Sequence, residues 1–200
     1  QVADGSSVSV GGTSSNRNLG ILKVTSAGVV DSGFGSSGFV TIDLGNQGDN
    51  SCGYAQVVPQ ADGTFWVSSS NDYNSGIDRS SHLVHLDATG NTLAHKQVLL
   101  GTAVRTDDIV IDSQGRFLRA AIADNDLVVT RQTPDGDLDT SFGGTGVVRL
   151  DVSASNEAGS GIALMPDDSV LAVDLFDEYQ KAGIFRLNSV GNVIPLNDSS

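Results

Sequence analysis

The third quarter of the chain runs in short stretches of apolar and β-branched residues: DDIVID over 107–112, RFLRAAIA over 116–123, DLVVTRQ over 126–132 and GVVRLDV over 146–152. Strand side chains point to opposite faces at successive positions, so β-branched runs of this length, bounded by turn residues, predict four strands. The layout recurs. The fourth quarter reads GIALM (161–165), SVLAVDLF (169–176), GIFRLN (183–188) and NVIPL (192–196), and the second reads YAQVV (54–58), TFWVSS (64–69), HLVHLD (82–87) and LAHKQVLL (93–100). The first supplies VSVGG (8–12), GILKVT (20–25) and FVTIDL (39–44), with its leading strand reduced to QVA. No i, i+3, i+4 apolar stripe persists long enough for a helix of ~11 residues.

Two families of turns punctuate these runs. One reads VADGS, QADGT, DSQGR and MPDDS, with Gly5, Gly63, Gly115 and Asp168 equivalent; the other reads TSAGV, DATGN, TPDGD and NSVGN, with Gly28, Gly90, Gly136 and Gly191. A tight hairpin needs positive φ there, which glycine adopts without a Cβ penalty and aspartate tolerates. These are turn glycines and not phosphate cradles, since no G-x-G-x-x-G or P-loop pattern occurs among them. Gly28 and Gly191 stand three periods apart, about 54 residues per repeat.

Four antiparallel strands per unit at that period predict an all-β fold, a β-propeller of four-stranded blades. A β-sandwich would not need the repeat, and a β-solenoid uses shorter coils. The expected organisation is a single domain over 1–200, with repeats of approximately 1–51, 52–104, 105–159 and 160–200. The incomplete first repeat leaves two arrangements open: a small closed ring, or part of a larger ring supplied by a longer parent chain or a symmetric partner. Open strand edges attract other chains, so a homo-oligomer is among the expected partners.

Composition narrows the function classes. Hydrophobic residues at 38% suffice for a core, and 24 glycines against 4 prolines suit many tight turns. A net charge of −13, with only 11 Lys and Arg, argues against nucleic acid and anionic membranes, which need clustered cations. No apolar run reaches the ~18 residues of a membrane helix, and QVADGSSVSV lacks the basic and apolar regions of a signal peptide. Cys52 is the sole cysteine, so burial and strand pairing must hold the fold without an internal disulfide.

Candidate chemistry is sparse. Asp135, Asp137 and Asp139 alternate in D-G-D-L-D like the opening of a calcium loop, but position twelve is Gly146, which offers no ligand, so an ordinary turn role competes with the metal. No cofactor is expected; calcium is the one ion this pattern admits. The loop NDYNSGIDR carries Asp72, Tyr73, Asn74 and Asp78 and is the candidate ligand-binding loop, because propellers present such insertions on their faces. His82 and His85 point to opposite faces of one strand and so would not share an ion. Trp66 lies mid-strand and reads as core in preference to a sugar platform.

The segments LDTSFGGTGVVRLD (138–151) and ALMPDDSVLAV (163–173), with the weaker copy VVDSGFGSSGFVTID (29–43), resemble the delta-60 repeat, a bacterial β-propeller-type repeat of large secreted or surface proteins. The second and fourth repeats depart from it, since neither carries S-F-G after its turn glycine. The resemblance implies a propeller, a bacterial source and export to the cell surface or beyond, and it carries no biochemical activity. Independently of it, Phe34 and Phe142 are expected to plug the gap between neighbouring blades, and Asp31 and Asp139 to cap turn amides. The expected function is a non-catalytic module for binding, adhesion or assembly, with an unknown protein or glycan ligand. The alternative is a propeller-fold hydrolase or lyase acting on an extracellular polysaccharide.

Overall fold

A computed structural model describes residues 4–13, 18–44, 51–72, 79–101, 104–151, 160–176 and 181–196, and at 51–54, 71–72, 79, 104–107, 160 and 176 the backbone alone. Among these residues, fifteen strands group into four sheets. The first sheet contains β1 (Ser7–Gly12), β2 (Leu19–Val24) and β3 (Phe39–Ile42), and the second β4 (Ser51–Pro59), β5 (Phe65–Asp72), β6 (Arg79–Leu86) and β7 (Thr92–Gly101). The third contains β8 (Val104–Ile111), β9 (Phe117–Ala123), β10 (Asp126–Gln132) and β11 (Val147–Leu150), and the fourth β12 (Ser160–Leu164), β13 (Val170–Phe176), β14 (Lys181–Leu187) and β15 (Val193–Ile194). Each sheet is a meander in which sequence neighbours pair, and every register described is antiparallel. One sheet falls in each successive quarter of the chain. No described helix is long and apolar enough to cross a membrane.

The chain divides into two compact units, Gln1–Arg105 and Thr106–Ser200, each holding two blades. In the first unit, Leu19, Ile21, Ile42, Val10 and Val40 of the first blade pack with Phe65, Val67, Val84, Leu86 and Val57 of the second. In the second unit, Leu118, Ala120, Ile122, Leu127 and Val129 of the third blade pack with Ile162, Val170, Ala172 and Leu187 of the fourth. Pairings such as Val10 with Ile21 and Ile21 with Val40 put every second side chain on the same face, which is why alternation in the sequence becomes a continuous apolar layer. Each fully buried Leu, Ile, Val or Phe contributes about 1.5 to 3 kcal/mol.

All eight turn residues named from the sequence have positive φ, from 58° at Asp168 to 91° at Gly90. Asp168 is the one non-glycine, and its carboxylate accepts hydrogen bonds from the Ser113 amide and hydroxyl on the preceding blade. The hairpin between β9 and β10 turns through Asp124 and Asn125, both at positive φ, as a two-residue type I′ connection requires. β15 is shorter than the alternation suggested, ending at Ile194, because Pro195 has no amide to donate to the ladder.

Candidate interaction surface

A repeated joint links blade to blade within each unit. Five residues before the turn glycine of the first blade stands Lys23, and at the same place in the third stands Arg131. Lys23 Nζ lies 3.4 Å from Asp4 and 3.3 Å from Asp31, and it reaches across to the Ala88 carbonyl at 3.3 Å. Arg131 Nε donates to Asp139 at 2.8 Å, and its terminal nitrogens donate to Ser141 Oγ and to the Ser189 carbonyl on the fourth blade. Ala88 and Ser189 each stand two residues before the turn glycine of the next blade. The same bridge is therefore built twice.

The aromatic plug completes the joint. Phe34 and Phe142 are fully buried, Phe34 with its centroid 5.9 Å from that of Phe65 on the second blade. The Arg131 guanidinium carbon lies 4.7 Å from the Phe142 centroid, a cation–π arrangement. Gly35 N donates to the Thr89 carbonyl at 2.8 Å, and Gly143 N to the Val190 carbonyl at 3.0 Å. Asp31 and Asp139 accept the Gly33 and Ser141 amides, as the sequence suggested. Their second task, holding the bridging cation, was missed; the available signal was a cation at a fixed offset before the glycine. On the donor side each member of the second set lies 108 residues after its counterpart (142 minus 34 for the phenylalanines) and on the acceptor side 101 (189 minus 88), so the joint repeats every two blades.

Burial pushes the Asp139 carboxyl up, but the Ser141 hydroxyl and amide and the Arg131 charge hold it below the usual carboxylate range. A depressed folded pKa adds stability above the unfolded value of 3.8, lost as pH falls through the folded value. Asp139→Asn is therefore expected to cost about 1 to 3 kcal/mol near neutrality and to reduce the acid sensitivity of unfolding below pH ~4, read from urea midpoints across pH.

Each joint has a donor half and an acceptor half. On the acceptor side, the first blade turns its other face outward as a pocket of about 620 Å³, lined by Ser9, Gly11, Gly20, Leu22, Phe39 and Thr41 among others. Gly20 shapes it: a Cβ there would stand 2.8 Å from the Phe39 ring, so only glycine lets that ring lie across the strand. Phe39 is 40% exposed. The turn glycine Gly28 has nothing within 4 Å of an added Cβ, whereas Gly90 and Gly191 are covered by Phe34 and Phe142 of the preceding blade. On the donor side, Leu171 and Val173 pair with Arg186 and Ile184 on the outer face of the fourth blade. Ile184 is 50% exposed, although Ile21 and Val129, at the same offset from their turn glycines, are fully buried.

The other sequence candidates distribute as follows. Asp135 and Asp137 are exposed and Asp139 is engaged by Arg131, and among the described residues no group of three His, Cys, Asp or Glu is placed to hold a metal ion. Tyr73, Asn74 and Asp78 of the candidate binding loop lie outside the described residues, as does the Asp72 side chain. Trp66 is buried, with its ring stacked on His85 at 4.3 Å. His82 faces the other way: its Nε2 is 2.8 Å from Ser80 Oγ and its Nδ1 3.0 Å from His95 Nε2. That cross-strand pair was not legible, because only register brings 82 and 95 together. Burial lowers the His95 pKa, with Asp43 partly opposing it. The neutral ring is thus favoured on folding, and the stability it brings is present above about pH 6.5 and lost as pH falls below it. His95→Asn should flatten the thermal midpoint between about pH 7.5 and 5.5 relative to the parent chain.

No protein-family model matches this sequence, nor does any curated protein sequence. By structure, the chain is similar to a GH43 β-1,3-galactosidase solved with galactodeoxynojirimycin, at TM-score 0.57 and 9% identity, over 96% of this chain and 73% of that one. It is also similar to a protein of unknown function from Bacteroides caccae, at TM-score 0.42 and 15% identity over 90% of this chain and 60% of that one. An exo-β-1,3-galactanase from Clostridium thermocellum gives TM-score 0.45 and 10% identity, over 94% of this chain and 58% of that one. The chain thus spans less than two thirds of the length of these last two proteins. At such identities the likeness concerns fold alone, and together with the antiparallel meanders it identifies the chain as a β-propeller protein built of four-stranded antiparallel blades, the first described here by three of its strands.

Proposed function

We propose that this chain is a non-catalytic binding and assembly module of the bacterial cell surface or exterior, and that its binding surface is the outer face of the first blade. One observation carries the reading: a glycine-hollowed sheet face of mixed polarity forms a pocket of about 620 Å³, in which the exposed Phe39 ring and Leu22 stand beside Ser9, Thr13, Asn18 and Thr41. A concave face that sets an exposed aromatic ring among a few polar groups is the kind of surface that takes a ligand. Acidic composition and the delta-60 resemblance support a place outside the cell.

Hydrogen exchange read by mass spectrometry tests it. The amides of 9–13, 20–22 and 39–41 are expected to gain protection when the protein is concentrated or when surface polysaccharide is added. Unchanged exchange in these segments under both conditions would overturn the reading. A second reading, a propeller-fold hydrolase acting on an extracellular polysaccharide, is favoured by the fold shared with a β-1,3-galactosidase over nearly the whole chain. Glycoside hydrolysis needs two carboxyl groups flanking the scissile bond, and release of reducing ends from β-1,3-galactan is its direct assay.

A further inference from the structure

Within the second blade, we infer that His82 and His95 form a binding site for one divalent transition-metal ion of the zinc, copper or nickel class. The site follows from strand register. His82 on β6 lies opposite Gln97 on β7, and Val84 lies opposite His95, so the two histidines are diagonal neighbours on one face of the sheet. Their facing nitrogens, His82 Nδ1 and His95 Nε2, stand 3.0 Å apart. At metal–nitrogen lengths of about 2.0 to 2.1 Å, tetrahedral coordination holds two ring nitrogens about 3.3 Å apart, so the pair needs to open by only about 0.3 Å to admit an ion.

The surroundings suit a metal-bound imidazole. A ligating histidine gives the proton of its other ring nitrogen to a neighbour, which fixes the tautomer. His82 Nε2 lies 2.8 Å from Ser80 Oγ, so with the proton on Nε2 the Nδ1 lone pair is turned toward His95. Without an ion, one proton lies between the two facing nitrogens. When the ion takes its place, that proton moves to the outer nitrogen of the same ring, and both rings stay neutral. Asp43, which follows β3, acts on His95 through its negative charge and so favours a cation beside that ring. His82 is buried and held by the fold, whereas His95 and Gln97 are exposed, so water and the Gln97 amide can supply the remaining positions.

Ligand type decides the ion. Imidazole nitrogen suits zinc, copper and nickel, while calcium and magnesium select oxygen, so this site differs in chemistry from the pattern of Asp135, Asp137 and Asp139. Two protein ligands also make a weaker and more exchangeable site than the three or four of a catalytic or structural zinc centre.

Isothermal calorimetry with zinc chloride on chelator-stripped protein tests this. One ion per chain is expected, and excess zinc should raise the thermal midpoint, because the ion binds only the paired strands. His95→Gln, on the exposed member, should weaken zinc binding on the order of tenfold or more while circular dichroism stays that of the parent. His85→Gln should leave zinc affinity unchanged, since His85 lies on the opposite face, stacked on Trp66. A second readout needs no variant: in ring-proton NMR, substoichiometric copper(II) should broaden His82 and His95 before His85. No zinc binding by the parent at up to about 1 mM, unchanged affinity in His95→Gln, or equal broadening of all three histidines overturns the inference. Full competition by calcium overturns it too, because the ion would then sit on carboxylates of the acidic surface.

Discussion

Truncating Phe142 to Ala is expected to destabilise the second unit by about 3 to 5 kcal/mol, read as a drop in the urea midpoint followed by circular dichroism. The ring is fully buried among Leu127, Val129, Val170 and Leu187, so its removal forfeits transfer free energy and leaves a cavity between two blades. It also strips the Arg131 guanidinium of the aromatic face 4.7 Å away, at a place where the cation has been taken out of water. The single tryptophan, Trp66, belongs to the first unit. Its fluorescence should therefore report Phe34→Ala directly, while the dichroism signal reports both variants. A Phe142→Ala midpoint within about 1 kcal/mol of the parent would mean that the blades hold together without the plug.

Gly191→Ala is expected to cost about 2 to 5 kcal/mol and Gly28→Ala only about 1 to 2, although both glycines close the same turn at nearly the same φ, 86° and 77°. The common part is the left-handed backbone, which disfavours any Cβ. The difference is what the Cβ meets: at Gly191 it would lie 2.8 Å from Gly143 N and 3.2 Å from the Phe142 ring, and at Gly28 nothing lies within 4 Å. Gly143 N cannot retreat cheaply, because it donates to the adjacent Val190 carbonyl. Equal losses at the two sites would show that backbone strain alone decides, and that the joint tolerates displacement.

The blade was legible because its determinants are local. β-Branched alternation specifies a pleated strand, and a residue of positive φ at eight fixed places specifies where the meander turns, so strand number and grouping followed from the chain. Phe34 and Phe142 could be assigned to blade gaps for the same reason: each follows a turn and precedes a strand. Asp135, Asp137 and Asp139 show the limit of such reading. Their alternation suggests a shared ion, but the backbone turns Asp139 toward Arg131, eight residues earlier, and leaves the other two exposed.

The sequence by itself determined what depends on neighbours along the chain: strand, turn, the identity of the turn residues and the offset of cation, aspartate and phenylalanine within a blade. Only the tertiary structure decided which copies of those offsets meet a partner. Lys23, Arg131 and Arg186 occupy one position in three blades, but only the first two are followed in sequence by the aspartate and phenylalanine that complete the joint, Asp31 with Phe34 and Asp139 with Phe142. Lys23 and Arg131 find a carbonyl on the following blade of their own unit, which packing alone brings within reach. Pairing across blades is a long-range contact whose partner is chosen by packing, and so the candidate surface became visible only once the sheets were laid against each other.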